Sequence, residues 1–257
     1  MNGTTAAADR PALRLFLFHH AGGSSALYDG WAERFPADWD IVRCDAPGRG
    51  SKLGVPPRDD VEALVAHFHE ELAPASDVPF AFFGHSMGAC VAYELALRLQ
   101  RAGEPGPFWL GLSACAAPRP GHVPEARSRY AAEQLQDWLV AAGGTDRDVA
   151  RHPLVWRMLE PALRGDLRVI ESWRPEAGRP PLDAALTVFG GTGDALVAPR
   201  ELADWRRHSG TFTGCHLHDG GHFYLRERPA QVIGQIVREI DRCRGALVPA
   251  YSEKGAS

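Results

Sequence analysis

The sequence predicts an α/β protein whose mostly parallel sheet is flanked by helices. Short apolar runs alternate along the chain with longer segments of helical periodicity, which is the pattern of parallel strands joined by crossover helices. The 257 residues are 45% hydrophobic and 23% charged, which is ordinary for a globular protein and sufficient for a large buried core. We see no internal repeat or linker in the chain, so residues 1–257 are expected to form a single domain.

The predicted strands are short apolar runs bounded by turn-forming residues. In chain order they are Leu13–Phe18, Trp39–Cys44, Phe80–Phe83, Phe108–Leu112, Leu186–Phe189 and Thr211–Leu217. The predicted helices carry apolar residues at spacings of three and four. In chain order they are Ala26–Phe35, Val61–Leu72, Met87–Arg101, Glu201–His208 and Gln231–Asp241. We expect residues 1–12 and 248–257 to be loose tails.

A long segment between the fourth and fifth predicted strands breaks the alternation. It holds about 70 residues, which is too many for a single crossover. Helical patterns recur within it at Tyr130–Ala142, Val155–Leu163 and Gly165–Trp173. We therefore expect a helical insertion at about residues 119–178 that acts as a lid over the C-terminal edge of the sheet.

The alternative is a solvated helical excursion without a role. The segment holds more large apolar side chains than such an excursion needs, which favours the lid. These are Trp138, Trp156, Met158, Leu159 and Trp173. The first four are expected to face the C-terminal edge of the sheet and to shape an apolar chamber there.

A G-x-S-x-G motif at Gly84–Gly88 lies between the third predicted strand and the helix that follows it. Strand, tight turn and helix form the setting of a nucleophile elbow, in which a strained turn exposes a serine hydroxyl. The glycines let strand and helix approach closely, and the helix N-terminus offers N–H groups to an anion. We therefore predict that Ser86 is a catalytic nucleophile rather than part of a chance motif.

A nucleophilic serine needs a base, and the base needs a group that orients it. Asp194 ends the glycine-rich run after the strand Leu186–Phe189, and His222 lies in a glycine-rich loop after Thr211–Leu217. In a site of this kind the acid and then the histidine follow the serine in chain order. Ser86 is predicted to attack, His222 to take and return the proton, and Asp194 to set the histidine tautomer.

Other titratable residues compete for these roles. His216 and His218 alternate along the last predicted strand, which favours a place on its surface. His85 lies inside the elbow and is too constrained to be the base of its neighbour. Asp219 is too close along the chain to the proposed base to orient it, and Asp183 precedes its strand and so lies at the wrong end of the sheet.

Two backbone N–H groups are predicted to form an oxyanion hole. One belongs to Met87, directly after the nucleophile, and the other to Ala21, in the His-His-Ala-Gly-Gly turn that follows the first strand. His19 and His20 could instead suggest a metal pair, but adjacent side chains diverge on a strand, and no Cys, Asp or Glu stands nearby to complete a site. We predict no metal site and no cofactor.

Composition narrows the functional classes further. The formal net charge of −4 gives no basic footprint for nucleic acid. The five cysteines are odd in number and widely spread, which fits neither a disulfide framework nor a zinc site. Residues 1–10 lack the apolar core of a signal peptide, and no apolar run approaches transmembrane length. We expect no membrane partner and a reducing, cytoplasmic location.

Several motifs lie where the predicted strands end, at Phe18–Ser24, Asp45–Gly50, Gly84–Ala89, Gly190–Asp194 and Gly221–Leu225. The insertion carries two more, at Gly143–Thr145 and Leu159–Asp166. Together they resemble the type II thioesterases, stand-alone α/β-hydrolases that accompany polyketide synthases and non-ribosomal peptide synthetases. The resemblance covers residues 13–243. A lipase would share the elbow but not the insertion or the Pro-Gly-Arg-Gly turn.

The resemblance implies hydrolysis of acyl groups from the phosphopantetheine thiol of a carrier protein, which clears stalled or mis-primed chains. The implied partner is an acyl-loaded carrier protein of a synthase. Five positions carry the family's site by resemblance: Ser86, Asp194 and His222 as the triad, with Met87 and Ala21 as oxyanion donors. The resemblance also implies an α/β-hydrolase fold that lacks its first strands, because too few residues precede the first predicted strand to hold them.

Two positions depart from the family pattern. His19 stands where the family more often has proline, and this difference is expected to affect the conformation of the oxyanion loop. Ser51–Gly54 replaces the usual Arg- and Glu-containing continuation after the Pro-Gly-Arg-Gly turn, which bears on carrier or acyl preference.

Two other functions are open from the sequence. One is a carboxylesterase or lipase that acts on small oxygen esters, which the elbow alone would serve equally well. The other is a binding module on a hydrolase scaffold, against which the full set of triad residues argues. Comparing thioesters with matched oxygen esters separates the first from a thioesterase, and a serine-directed phosphonate probe separates the second.

Overall fold

The computed structural model describes residues 10–73, 77–119, 121–175 and 178–251, with side chains described as far as residue 245. A six-stranded parallel sheet lies at its centre, in the order β2-β1-β3-β4-β5-β6. Its strands are β1 (Leu13–Phe18), β2 (Trp39–Cys44), β3 (Phe80–His85), β4 (Trp109–Ser113), β5 (Leu182–Gly191) and β6 (Ser209–His218). The mostly parallel sheet that the sequence predicts is confirmed.

Helices lie between the strands and after the last of them. They are α1 (Val61–Leu72), α2 (Met87–Ala102), α3 (Ala132–Ala141), α4 (Arg147–Arg151), α5 (Pro153–Ser172), α6 (Pro199–Leu202), α7 (Tyr224–Glu227) and α8 (Pro229–Tyr251). The start of α1 is set by Asp60, whose carboxylate accepts from the N–H groups of Glu62 and Ala63. In the described part of the chain, no helix is long and apolar enough to cross a membrane.

The central strands are buried on both faces, as the helices on either side of a parallel sheet require. On one face, Phe16 and Phe82 pack with the apolar residues of α1 and α2. On the other face, Leu15 and Phe83 pack with the apolar stripe of α8. Because side chains alternate along a strand, consecutive residues of β1 and β3 supply two separate cores.

Strand registers bring the functional loops to one edge. Phe18, the last residue of β1, pairs with Gly84 of β3, and Gly84 pairs with Leu112 of β4. Gly191, the last residue of β5, pairs with His218, the last residue of β6. The loops that follow these strands therefore meet at the C-terminal edge of the sheet, where ligands bind in open α/β sheets.

Three helix predictions differ from the structure. The helix expected at Ala26–Phe35 is wrong: the segment forms two short 3₁₀ turns, Ser25–Tyr28 and Ala32–Arg34, with Gly30 at a φ of +70° between them. Its aromatic residues mimic helical spacing because they share one buried face. The helix expected at Glu201–His208 is instead the short α6 followed by a 3₁₀ turn, and α8 runs well beyond its predicted end.

The segment between β4 and β5 contains α3, α4 and α5. The sequence patterns on either side of Arg164 belong to one helix, α5, which continues through Pro161. Helix α4 has no counterpart among the predicted elements. These helices bury a small core of their own, which consists of Leu135, Leu139, Trp156, Leu163 and Leu167.

One expectation about this segment is wrong. The side chain of Met158 is 82% exposed, so it does not face the sheet. Trp156 is buried in the small core of the insertion rather than turned to the sheet edge. Helical spacing marks the apolar face of α5, but Met158 lies off that face. The tails predicted at residues 1–12 and 248–257 fall largely outside the described residues, and α8 extends into the second of them as far as Tyr251.

Candidate active site

Ser86 occupies a sharp turn between β3 and α2. Its φ of 57° and ψ of −116° form a strained combination for a residue with a side chain. A Cβ added at Gly84 would lie 2.2 Å from the carbonyl oxygen of Gly88, and one added at Gly88 would lie 2.2 Å from that of Phe18. Only glycine fits at both positions, so the motif forms the tight strand-to-helix turn that a nucleophile elbow requires.

The structure brings Ser86, His222 and Asp194 together across 136 positions of sequence. The Ser86 Oγ lies 3.0 Å from the His222 Nε2, and the His222 Nδ1 lies 2.9 Å from the Asp194 Oδ2. Because a carboxylate only accepts, the Nδ1 carries the proton and the Nε2 is left to accept from the serine hydroxyl. This is the arrangement in which the histidine can act as a general base.

Asp194 is itself held in place. Its second carboxylate oxygen, Oδ1, accepts from the N–H groups of Leu196 and Val197 at 2.8 and 3.1 Å. The side chain is 1% exposed and that of His222 is 4% exposed. Buried and bonded on both oxygens, the carboxylate has one orientation available toward the imidazole.

The competing residues lie elsewhere. The side chain of Asp219 is 81% exposed, and its nearest cation is Arg228 at 3.9 Å. Asp183 lies at the N-terminal end of β5, away from the serine. His216 bonds to Glu239 of α8 at 2.9 Å, on the far side of β6.

His85 belongs to a buried polar chain behind the imidazole of His222. The His85 Nδ1 lies 2.8 Å from the Ser113 Oγ, which lies 2.7 Å from the Tyr224 hydroxyl. Burial lowers the pKa of His85 well below its usual value, and burial raises the pKa of Tyr224. Ser113 and Tyr224 are not among the residues that the sequence predicts for the site; they lie at the end of β4 and two residues after His222.

The two proposed oxyanion donors line the same cavity as Ser86. Met87 is the first residue of α2, so its N–H has no partner within the helix. Ala21 follows β1 in a turn closed by the Gly23 N–H, which donates to the His20 carbonyl at 3.0 Å. Both N–H groups thus belong to segments adjoining the nucleophile.

The two histidines before Ala21 are neutral and do not form a pair for a metal. The His19 Nδ1 donates to the His20 carbonyl at 2.7 Å, while its Nε2 accepts from the Ala46 N–H at 3.1 Å. This ring therefore ties the loop after β1 to the loop after β2. Burial and, secondarily, the nearby Arg226 cation lower the pKa of His20.

Asp45 holds the start of the Pro-Gly-Arg-Gly loop. Its carboxylate accepts from the backbone N–H groups of Ser25, at 2.7 Å, and Ser51, at 2.9 Å. Burial alone would raise the pKa of Asp45, but these hydrogen bonds bring it below its ordinary value. Two departures from the family pattern, His19 and Ser51, thus take part in fastening these loops to each other.

A cavity of about 560 Å³ opens above the serine hydroxyl. Its walls come from Ala114–Pro118 after β4, from Trp138 and Leu139 of α3, and from Ile170 of α5. Trp138 therefore contributes to a chamber, as expected, whereas Met158 and Leu159 do not. Charged residues lie within the lining too, and Arg119 pairs with Glu201 at 3.3 Å.

The cavity walls suit an apolar group attached to a reacting carbonyl. Cys115 lies in the wall after β4, and burial raises the pKa of its thiol to about 12, which disfavours the thiolate. Among the described residues, no group of three or more His, Cys, Asp or Glu is arranged to hold a metal ion.

Comparisons with known proteins agree with this geometry. The family model of the thioesterase domain matches residues 13–240. Linear gramicidin dehydrogenase LgrE of Brevibacillus parabrevis is 32% identical over 232 residues, which cover 86% of this chain and 85% of LgrE.

Two solved structures share the fold closely. The RedJ thioesterase from the prodiginine biosynthetic pathway in Streptomyces coelicolor superimposes with a TM-score of 0.82 and 31% identity, over 89% of this chain and 86% of that chain. The type II thioesterase BorB from the borrelidin biosynthetic cluster superimposes with a TM-score of 0.80 and 32% identity, over 89% of this chain and 94% of that chain.

Proposed function

This chain belongs to the thioesterase family of α/β hydrolases, and from that premise we propose that Ser86, His222 and Asp194 are the residues that hydrolyse its thioester substrates. The observation that carries the proposal is the continuous hydrogen-bonded relay from hydroxyl to carboxylate at the floor of an apolar cavity. Such a relay activates a serine without a metal or an organic cofactor.

The first half-reaction acylates the serine. His222 takes the hydroxyl proton through its Nε2 as the Ser86 Oγ attacks the thioester carbonyl carbon, and the carbonyl oxygen becomes an oxyanion. The N–H groups of Ala21 and Met87 donate to that oxyanion. Collapse of the tetrahedral intermediate breaks the carbon–sulfur bond, and the departing sulfur takes the proton from His222, which leaves a free thiol, an acyl-serine and a neutral His222.

The second half-reaction releases the acid. A water molecule gives its proton to His222 and attacks the acyl-serine carbonyl, and the same two N–H groups stabilise the second oxyanion. Collapse of this second intermediate breaks the bond between the acyl carbon and the Ser86 Oγ, which takes the proton back from His222 as the free acid leaves. Asp194 keeps the imidazole in the required tautomer and stabilises the imidazolium in both halves, without itself becoming protonated.

The substrate that fits best is an acyl group carried on the phosphopantetheine arm of a carrier protein. RedJ is a thioesterase from the prodiginine biosynthetic pathway and BorB is a type II thioesterase from the borrelidin biosynthetic cluster, and this chain is similar to each over most of its length. The apolar walls would take the acyl chain, and the open side of the cavity would take the arm. The proposed role is removal of stalled or aberrant acyl groups in polyketide or non-ribosomal peptide biosynthesis.

The dehydrogenase name of LgrE does not carry over to this chain. A dinucleotide-binding fold would place a G-x-G-x-x-G turn after its first strand, so that a pyrophosphate could rest on the helix N-terminus. Here the segment after β1 reads His-His-Ala-Gly-Gly-Ser, and 3₁₀ turns follow it in place of a helix.

We further propose that residues 119–178, approximately, act as a lid on a single α/β-hydrolase domain comprising residues 1–257. The cavity walls contributed by α3 and α5 support this role, since both helices cover the chamber above the serine. We also propose a reducing, cytoplasmic compartment. The five cysteines are free thiols, and Cys44 and Cys90 are buried.

The test compares acyl-pantetheine thioesters with oxygen esters of the same acyl chain. The proposal expects a higher kcat/KM for the thioester, and a preference for the oxygen ester would instead support a carboxylesterase. Hydrolysis of an acyl-loaded carrier protein then tests the partner. A fluorophosphonate that labels the wild-type protein but not Ser86→Ala would rule out a purely binding role.

A further inference from the structure

Helix α5 touches the loop that carries the proposed oxyanion donor Ala21. Leu159, Leu163 and Asp166 lie on one face of α5, at spacings of four and three. A Cβ added at Gly22 would lie 3.0 Å from the Leu163 Cδ1 and 3.6 Å from the Leu159 Cδ1. The loop therefore rests directly on the insertion as well as on the sheet.

Asp166, the polar residue on that face of α5, is buried and forms an ion pair with Arg49. The side chain of Asp166 is 1% exposed and that of Arg49 is 9% exposed. Both guanidinium NH groups of Arg49 donate to the two Asp166 oxygens, the Nη2–Oδ1 contact measuring 2.8 Å. This is the two-pronged contact that a guanidinium makes with a carboxylate.

The pair also holds the backbone of the loop. The Gly22 N–H donates to the Asp166 Oδ2 at 2.7 Å. The Arg49 Nη1 donates to the Gly23 carbonyl at 3.3 Å. One ion pair thus fixes a donor and an acceptor on two successive residues of the loop.

The Gly22 N–H is the group that decides the form of the turn. Gly22 is the third residue of the His20–Gly23 turn, and its φ of +74°, with Ala21 not among the residues of positive φ, is that of a type II turn. The type I alternative rotates the peptide between Ala21 and Gly22, which would aim the Ala21 carbonyl at the Asp166 carboxylate. The carboxylate therefore selects the observed turn.

We propose that Arg49 and Asp166 are positioning residues that hold the backbone of the oxyanion loop, residues 20–23, and with it the Ala21 N–H of the adjoining peptide, in its catalytic position, so that the oxyanion hole is complete only while α5 is seated on the loop. The proposal rests on the proposed function, because it assigns the Ala21 N–H to the oxyanion. It links the insertion that covers the cavity to the chemistry on its floor.

Stability alone does not account for this pair. Replacing a buried ion pair by apolar residues of similar volume is often neutral or stabilising, whereas removing one partner leaves a costly buried charge. A purely structural pair is therefore replaceable by an apolar pair without loss of activity. A pair that selects the turn is not, since an apolar pair cannot bond the Gly22 N–H or the Gly23 carbonyl.

The decisive variant is the double replacement Arg49→Met/Asp166→Leu. The matched control is Arg168→Met, which removes an ion pair between the same helix and Asp59 at 3.1 Å without touching the loop. Each protein is assayed for kcat and KM with an acyl-pantetheine thioester and for its unfolding midpoint. Each is also titrated with two analogues of the substrate, a trifluoromethyl ketone that forms an oxyanion on the serine and a thioether that lacks the carbonyl.

The double variant is expected to remain folded and to keep its affinity for the thioether. Its kcat and its affinity for the trifluoromethyl ketone should each fall by about 100-fold, in the range found for loss of an oxyanion donor. Arg168→Met should match the wild type in all five quantities.

A folded double variant with wild-type kcat and wild-type ketone affinity would overturn the proposal. Equal losses of ketone and thioether affinity would do the same, because they would show a general defect in the cavity. If the double variant does not fold, Asp166→Asn and Arg49→Lys, which keep the packing, must still lower kcat more than thioether affinity. Failure of the wild type to hydrolyse the thioester would instead contradict the proposed function.

Discussion

The Ser86 hydroxyl has little to do with packing, because the turn that presents it depends on Gly84 and Gly88 instead. We expect Ser86→Ala to fold with a nearly unchanged unfolding midpoint and to lose about 10⁴- to 10⁶-fold in kcat. Thermal unfolding and single-turnover hydrolysis of an acyl-pantetheine thioester measure the two quantities. Activity within tenfold of the wild type would contradict the assignment of the nucleophile.

Asp194 acts through the imidazole rather than on the substrate. In Asp194→Asn the amide can still accept from the N–H groups of Leu196 and Val197, but its NH₂ would favour a proton on the wrong imidazole nitrogen. We expect a loss of kcat of up to about 10⁴-fold, smaller than for Ser86→Ala because a thiolate is an easy leaving group.

The control for this variant is Asp219→Asn, at a carboxylate whose side chain is 81% exposed. It should retain the kcat of the wild type. A larger loss in Asp219→Asn or Asp183→Asn than in Asp194→Asn would show that a different carboxylate orients the histidine.

At the scale of elements, α5 contributes one wall of the cavity and one face to solvent. Ile170 lines the cavity, so Ile170→Ala should enlarge the chamber and shift preference toward longer or branched acyl groups. Met158 lies on the same helix with its side chain exposed, so Met158→Ala is the matched control. The measurement is the ratio of kcat/KM for a branched and a short acyl-pantetheine in each variant.

An equal shift in both variants would mean that the helix acts on selectivity without its side chains facing the chamber. An unchanged ratio in Ile170→Ala would exclude this wall from acyl selection. The sequence alone suggested Met158 for this role, and only its position off the apolar face of α5 corrects that.

The insertion and the sheet differ in the size of the buried core that stabilises each of them. Helix α3 packs on a core of a few buried residues, while β3 is buried along its whole length between two larger cores. We expect the amides of α3 to exchange with deuterium faster than those of β3, with α5 in between because its Val169 belongs to the main core. Mass spectrometry of peptic peptides resolves these segments, and protection of α3 equal to that of β3 would argue against a lid that opens.

Element prediction succeeded where burial and periodicity agree. Strands β1 and β2 and helix α1 begin and end at the predicted residues, because their apolar patterns are bounded by clear turn signals. It failed at residues 26–35, where aromatic side chains at near-helical spacing pack onto the sheet from 3₁₀ turns. Local spacing cannot separate these cases, since both bury the same side chains.

At the scale of the whole molecule, three buried histidines make stability depend on pH. Burial lowers the pKa of His19, and lowers those of His20 and His85 well below their usual values. Each is neutral in the folded protein but takes up a proton in the unfolded chain below about pH 6.5. The unfolded state therefore binds more protons as the pH falls, and stability is lost below that pH.

Each such histidine contributes a slope of up to about 1.4 kcal/mol per pH unit once the pH is below its unfolded-state pKa. Urea unfolding at pH 7.5, 6.5 and 5.5 measures the total. His85→Asn should reduce the slope, whatever its effect on stability at pH 7.5. Equal slopes in the wild type and His85→Asn would show that His85 is not the source.

The candidate triad was predictable because each of its members lies within a recognisable local sequence pattern. A strand-to-helix turn of small residues marks Ser86, and glycine-rich loops after strands mark Asp194 and His222. Strand registers and parallel topology place such loops at one edge, so the sequence could predict their meeting without knowing any distance. Ser113 and Tyr224 carry no comparable local signal, because their role arises only from contact with His85.

The sequence by itself determined the six strands in their order, the elbow and the residues offered for the triad, since hydrophobic periodicity and turn chemistry are local properties. Tertiary structure alone decided which side chains of the insertion face the cavity, how His19 joins two loops, and that Arg49 meets Asp166 across 117 positions. Those outcomes depend on how elements that are distant in sequence pack against one another. Packing and buried charge select one arrangement among many that the same local pattern allows.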